Sequence, residues 1–352
     1  MVDSPIFVVG PPRSGTTLTA KILGKHPNLF MPGETHFFDD VYLDRERLGE
    51  TFSSESKSRI LDKLKSIYGR YNEPGDQVRV DRLMADCGRV DQMLQSWRSY
   101  KEVLSSFMEV QMSDAGKVRW GNNTPRDIFH MRTILSFYPE AKIIVCIRDI
   151  RDFLLSYKGK WKQARTGEIE RLRKLYHPIT TSLLWKSSIR QIHWLRVEVR
   201  SENLLILPYE RLVQEPELTV REICTMIGEE FEPGMLDVDG HNSSHSVEEK
   251  GIFNTSLGRW KQDLAPEEVW LAQAIAGTEM RDFGYTAVET PVSVFKLLLI
   301  LATYPAGLVR ALNANKRKRG PLLPYLMQRI RSIEKTYTGT SNKTVPKAAR
   351  RM

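Results

Sequence analysis

Short continuous apolar runs punctuate this chain, and each stops abruptly at a Gly-, Arg- or Pro-containing turn. Ile6–Val9 is the first, Leu29–Met31 a shorter second, and Ile143–Ile147 a third. Runs of this length without polar alternation are those of parallel strands covered on both faces. After the first, a turn through Gly10 and Gly15 opens into a helix expected over about Thr16 to Gly24. After the third, the pattern breaks at Arg148 and a helix is expected to begin near Asp149. A right-handed crossover is expected to set the Leu29–Met31 strand beside the first one. The stretch 41–115 has a different texture, charged and helical with a turn at Asn72–Gly75, and reads as an inserted cap. Residues 158–200 also read as helical, with Trp161, Trp185 and Trp194 in the core or lining a cleft. These elements imply a three-layer α/β sandwich with a central parallel sheet, in which ligands bind beyond the carboxyl ends of the strands.

The two strand-end turns carry the candidate chemistry. The Gly10–Gly15 spacing fits the nucleotide P-loop, but Thr16 stands where that loop has its lysine, and the cation is Arg13 inside the turn. A loop that keeps the amide cradle and lacks the lysine suits an activated anion other than Mg·ATP. Arg148 at the next strand end offers a forked donor set for phosphate. Ser156, eight residues on, could face the same anion. Asp149 and Asp152 stand close enough in sequence to offer Arg148 an ordinary ion pair instead.

Pro12-Arg-Ser-Gly-Thr-Thr-Leu18 resembles the phosphosulfate loop of the sulfotransferases, and Arg148 with Ser156 matches their 3′-phosphate pair. The resemblance runs over roughly residues 5–285 and includes Gly121–Ile128, Phe137–Lys142, Leu207–Leu212 and Gly251–Lys261. It is nearest the bacterial, membrane-type and tyrosyl-protein branch, with a P-loop-like fold. It implies a sulfotransferase that moves a sulfonate group from 3′-phosphoadenosine 5′-phosphosulfate (PAPS) to a hydroxyl or amine of a lipid, glycan or small metabolite, releasing PAP. Arg13, Ser14, Gly15, Thr16, Thr17, Arg148, Ser156 and Arg259 would hold the nucleotide, and no metal would be needed. Glu34 would be the catalytic base, aided by Arg13 at the leaving oxygen. His36 is the second candidate, since histidine's ordinary titration range suits that work, and His130 a more distant one. A solvated turn acid is the alternative for Glu34, and core packing the alternative for Trp260. Many members carry a lysine where this chain has Asn123; Arg126 or Arg119 would have to compensate. A non-catalytic PAPS or PAP binder and a P-loop kinase-like enzyme stay open as alternatives.

Composition changes the picture at the C-terminus. With 41% hydrophobic and 27% charged residues the chain can bury a large core. Its net charge of +9 is not spread evenly, because residues 313–352 alone carry +10 and leave −1 for the rest. Before that tail, Leu297–Val309 is apolar for thirteen residues, short of the ~20 needed to span a bilayer. Residues 1–290 are therefore read as the catalytic domain, and 291–352 as a segment for contact with an anionic membrane surface. A packed helix followed by a disordered tail is the alternative; nucleic acid is not expected. The three cysteines lack metal-ligand spacing and read as reduced thiols, and His241 and His245 sit in a polar loop. The first strand begins too early for a preceding signal segment, so a cytoplasmic protein, peripheral on the inner membrane face, is expected.

Overall fold

The computed structural model describes residues 2, 4–71, 74–163, 168–238 and 251–314. The polar His241–His245 loop, the Lys316–Arg319 cluster and the rest of the basic tail lie outside the described residues.

Five parallel strands form the sheet, in the order β2-β3-β1-β4-β5. They are β1 (Ile6–Val9), β2 (Leu29–Phe30), β3 (Arg119–Asn123), β4 (Lys142–Ile147) and β5 (Leu204–Pro208). β1 is flanked by β3 and β4, with Phe7 opposite both Asn122 and Ile143. The crossover from β1 therefore does not set β2 beside it. β3 intervenes, because the chain returns to the centre of the sheet only after the insertion of helices α2 (Arg45–Leu48), α3 (Ser54–Tyr71), α4 (Pro74–Ala85), α5 (Cys87–Ser96) and α6 (Tyr100–Asp114).

Alternation along β1 divides the core. Ile6 and Val8 face one layer, where α1 (Thr16–Gly24) contributes Leu18, Ile22 and Leu23. The same layer receives Leu212 and Val213 from α11 (Tyr209–Gln214) and Val220, Ile223 and Ile227 from α12 (Pro216–Ile227). Phe7 and Val9 face the other layer, built from α6, α7 (Met131–Phe137), α8 (Ile150–Lys158), α10 (Pro178–Glu198) and α14 (Pro266–Asp282). Two short helices, α9 (Ile169–Arg173) and α13 (Trp260–Asp263), link this layer. Phe7 is the hub of an aromatic cluster, its ring centroid 5.9 Å from Tyr138 and 6.0 Å from Trp120. Contacts of this kind contribute roughly 0.5–1.5 kcal/mol each beyond area burial. The cap helices join this core through Ile60, Leu64, Val80, Leu83 and Trp97. Trp185 is fully buried, whereas Trp161 and Trp194 are half-buried beneath Arg173 and Arg132. Cys146 and Cys224 are buried free thiols, pushed up by burial to about 12 and about 11.

α15 (Val294–Ala314) differs from the thirteen-residue stretch read from sequence. The helix runs through Lys296, Pro305 and Arg310, reaches 21 residues, and is long and apolar enough to cross a membrane by length and composition.

A polar staple fixes the carboxyl edge of β3. Thr35 Oγ1 donates to Asn122 Oδ1 at 2.9 Å, and Thr124 Oγ1 accepts from the backbone amides of Thr35 at 3.1 Å and His36 at 3.3 Å. Asn122 Nδ2 donates in turn to Asp127 Oδ2 at 2.7 Å, while Asp127 Oδ1 is buried without a hydrogen-bond partner among the described residues.

Two tests follow from this frame. Gly10 has φ +142°, and a Cβ there would lie 2.2 Å from the Cys146 carbonyl oxygen, whereas Gly24 has its nearest neighbour at 3.5 Å. Gly10→Ala is expected to cost at least ~2 kcal/mol in urea unfolding and Gly24→Ala almost nothing. Burial, reinforced by Asp39, holds the Asp127 carboxyl well above the ordinary carboxylate range. The folded chain thus keeps a proton that the unfolded chain releases near pH ~3.9, so stability falls as pH rises from there toward the folded value. Asp127→Asn keeps the acceptor and removes this titration. It is expected to match the parent near pH ~4 and exceed it at neutral pH; lower stability at neutral pH would mean that the ionised carboxylate is needed.

Candidate functional site

The turn between β1 and α1 is shaped by what surrounds it. Gly15 has φ +96° and lies against the Tyr209 ring, where a Cβ would come within 2.7 Å. Arg13 also adopts a left-handed conformation, φ 72°, which costs energy for a residue with a side chain. This geometry turns the Arg13 guanidinium toward β4 and α8, where its Nε donates to Ser156 Oγ at 3.1 Å. α1 begins with Gly15 as N-cap, no side chain caps it and no acid stands in its first turn. Its amides and dipole therefore present a positive end next to Ser14, Thr16 and Thr17. Ser14 is fully buried and its hydroxyl has no hydrogen-bond partner among the described residues; Thr16 is buried and Thr17 exposed.

Arg148 follows the last residue of β4 and is buried beside this turn. Its Nη2 donates to the Ser256 carbonyl at 3.0 Å, and its guanidinium lies 4.3 Å from the Tyr209 ring centroid. Its own carbonyl accepts from Trp185 Nε1 at 2.9 Å. The neighbouring acids are engaged elsewhere. Asp149 caps α8 and is held by Arg151 at 2.6 Å, and Asp152 accepts from the amides of Gly258 at 2.8 Å and Trp260 at 3.2 Å. Arg148 Nε is left buried without a hydrogen-bond partner among the described residues. Burial lowers the Arg13 pKa, and the charge of Arg148 lowers it further. Two guanidiniums, a hydroxyl and a helix N-terminus thus meet at the carboxyl edge of β1 and β4, a constellation that selects a polyanion.

Glu34 and His36 leave β2 at the same edge, where the Thr35 staple holds them. Glu34 Oε2 lies 2.8 Å from His36 Nε2, and Glu34 is close enough to Arg13 to oppose the lowering of its pKa. His36 is held at φ 48°. Asp39 sits behind this pair, taking Arg126 Nε at 2.8 Å and His130 Nε2 at 3.1 Å. His130 stacks on Phe38, 6.0 Å between centroids, and so has a structural place.

The remaining sequence candidates separate. Asn123 ends β3, buried, with Oδ1 lacking a partner among the described residues. Arg119 opens the same strand at the opposite edge of the sheet and cannot stand in for a cation there. It is occupied by the carbonyls of Ser4 and Ile227 and by Glu229 at 3.5 Å. Arg126 is on the correct edge and engaged by Asp39. Arg259 pairs with Asp263 at 2.7 Å, while the loop's direct contact with Arg148 comes from Ser256. Trp260 is buried, with Arg151 4.1 Å above its ring. Tyr209 and Glu210 were not singled out from sequence. Tyr209 supports both Gly15 and Arg148 and shares a hydrogen bond with Ser256 at 3.0 Å. Glu210, raised above the ordinary carboxylate range by burial, accepts from the Asp149 amide at 2.9 Å and from Tyr285 at 3.0 Å. Their signal in the sequence is the Leu207–Leu212 segment of the resemblance, just past an apolar run, which assigns neither a role.

A family model described as the sulfotransferase family matches residues 5–233. The nodulation protein NoeE of Sinorhizobium fredii is 23% identical over 302 residues, 79% of this chain and 65% of that protein. The 3-beta-hydroxysteroid sulfotransferase of Cavia porcellus is 30% identical over 160 residues, 44% of this chain and 54% of its own length. The chain therefore spans less than two thirds of each of these relatives. Among solved structures, the sulfotransferase domain from the curacin biosynthetic pathway superposes with a TM-score of 0.51 at 18% identity, covering 82% of this chain and 99% of that domain. A match that opens at the first strand and closes beyond the last, on a sheet whose order brings the Arg13 and Arg148 turns to one edge, makes this chain a member of the sulfotransferase family.

Proposed function

We propose that this protein transfers a sulfonate group from PAPS to a hydroxyl-bearing acceptor and releases PAP. The observation that carries the reading is the convergence of Arg13, Arg148 and Ser156, with the buried Arg148 Nε lacking a partner among the described residues. PAPS bears two anionic ends, and the chain offers two anion-facing turns on one sheet edge. Arg148 and Ser156 would bind the 3′-phosphate, and the α1 amides with Ser14, Gly15, Thr16 and Thr17 the 5′-phosphosulfate. Arg259 would join them only by exchanging Asp263 for the nucleotide. PAPS supplies the activated sulfonate, whose sulfur–oxygen bond to phosphate breaks as the acceptor oxygen bonds to sulfur. Glu34 takes the hydroxyl proton, held in place by His36 and by the Thr35 staple. Arg13 offsets the charge that develops on the departing phosphate oxygen. None of these residues requires a metal for its part.

A lipid, a glycan or a small metabolite could bring the hydroxyl, and the relative named for 3-beta-hydroxysteroids supports a small alcohol. The free cysteines support a reducing, cytoplasmic setting. A second reading, a PAP or PAPS binder without turnover, draws on Asn123, which brings no charge to the position where many family members have lysine.

Titration calorimetry with PAP, ADP and ATP, with and without Mg²⁺, tests the nucleotide assignment. PAP is expected to bind at least ~10-fold tighter than ADP without metal, and Arg148→Ala to weaken PAP by ~10–100-fold. Preference for Mg·ATP, or equal binding of PAP and ADP, would overturn it. Glu34→Gln separates the two readings of the site. It is expected to leave PAP affinity within about threefold and to lower transfer to a responsive acceptor by ~10²–10⁴. An unchanged rate would remove Glu34 from the base role, and no transfer by the parent across alcohol, glycan and lipid acceptors would favour the binder.

A further inference from the structure

α15 has a partly covered face and an open one. Leu297, Ile300, Tyr304, Gly307, Leu308 and Ala311 recur at three- and four-residue steps and, with Leu312, are the partly or fully covered positions. On the opposite side Phe295, Leu298, Leu299, Leu301 and Val309 are between 46% and 76% exposed. The helix is held lengthwise against the body. The Ser293 amide, just before it, donates to Glu267 Oε1 at 3.1 Å. At its middle Tyr304 lies 5.4 Å from the His177 ring, and one turn toward its C-terminal end a Cβ on Gly307 would come within 2.7 Å of that ring. At the same end an open cavity of about 720 Å³ is lined by Lys174, Pro305, Ala306, Val309, Arg310 and Asn313. Two cations rim it and apolar groups form most of the rest; Glu170, 3.7 Å from Lys174, is the nearby acid. From Thr290 to Ile333 the sequence has no acidic residue, and Lys316–Arg319 follow directly on the helix.

We propose that α15 docks in the plane of an anionic lipid bilayer, its open face among the acyl chains and the Lys174–Arg310 cavity on a lipid phosphate. Five large exposed apolar side chains on one helix face are what a hydrocarbon boundary covers, and the adjoining cations complement anionic headgroups. A second copy would bring the same two cations to the face, and its Glu170 already pairs with its own Lys174. A nucleic acid would leave the apolar groups in water. In-plane docking fits better than spanning. Lys296 and Arg310, fourteen positions apart, are separated by only ~21 Å along the axis, less than the ~30 Å hydrocarbon core, so spanning would draw a charge inward. It would also detach the helix from Glu267 and His177.

Flotation of the full chain with phosphatidylcholine vesicles, alone or mixed with phosphatidylglycerol, tests this without nucleotide or acceptor, so the result stands apart from the sulfonate-transfer reading. The protein is expected to float with the mixed vesicles and to be released by alkaline carbonate. Leu298→Glu combined with Leu299→Glu is expected to lower partitioning at least ~10-fold, with circular dichroism and PAP affinity unchanged. Lys174→Glu combined with Arg310→Glu is expected to lower it at least ~10-fold on mixed vesicles only. Four results would overturn the proposal: no flotation; full flotation of the Leu298/Leu299 variant, which would assign binding to the basic tail; resistance to carbonate, which would mean spanning; or a solution dimer abolished by that variant without vesicle binding.

Discussion

Two like charges held side by side set the terms for the rest of this structure. Burial already penalises the charge of Arg13, and the charge of Arg148 beside it disfavours it further. The sheet brings them together, because β1 and β4 are adjacent and both guanidiniums leave from carboxyl ends. The surroundings keep them there, with Glu34 acting on Arg13 and with Asp152 and Glu210 feeling the charge of Arg148. Tyr209 gives Arg148 an aromatic face, Ser256 a carbonyl and Trp185 an anchor for its backbone. The acids that could quench Arg148 are committed to Arg151 and to the amides of the 258–260 loop. Such an arrangement is unfavourable in isolation and favourable once an anion enters, which is the physical meaning of a preorganised site.

The geometry explains which parts could be read from sequence. The Gly10–Gly15 turn, Arg148 and Ser156 depend on local spacing, since a strand end, a tight turn and two helical turns fix where those side chains go. The Thr16–Gly24 helix and the Asp149 start of the next are local in the same way. The place of β2 depends on what lies between it and β3, and no local pattern states that a cap of four long helices precedes the return to the sheet centre. Arg119 was misread for a related reason. The Gly121–Ile128 motif shows that a cation is missing, but only the strand direction shows that Arg119 lies at the wrong edge. Tyr209 and Glu210 work through tertiary contacts with Gly15, Arg148 and Asp149, separated by tens to hundreds of positions, so they carry no signature of their own.

The segment from Glu34 to Thr124 shows how a loop is made rigid enough for chemistry. Its hydrogen bonds run from Thr35 through Asn122 to Asp127, whose charge burial and Asp39 disfavour. A second ionised group there would add to the negative field around Glu34 and Asp39. The raised Asp127 pKa eases that field, and Glu34 pairs with His36 and faces Arg13. The positive φ values of Arg13 and His36 fall on either side of this contact. Backbone strain is thus concentrated where the proposed base and the proposed leaving-group cation approach each other.

Asn123 fits the same electrostatics. It ends β3 next to Pro125, whose carbonyl receives the Gly10 amide at 3.1 Å, so position 123 borders the turn that carries Arg13. A lysine there would be a third cation near Arg148 and an Arg13 whose charge burial and Arg148 already disfavour, and it would be buried with them. A neutral amide avoids that cost and still offers a hydrogen-bond donor. Under the proposed function, Arg13, strained into place and turned toward Ser156, would serve both the bound anion and the developing charge. That concentration of roles in one side chain makes the conformation of the Gly10–Gly15 turn, and the Tyr209 ring that supports it, as important to this site as any group that touches substrate.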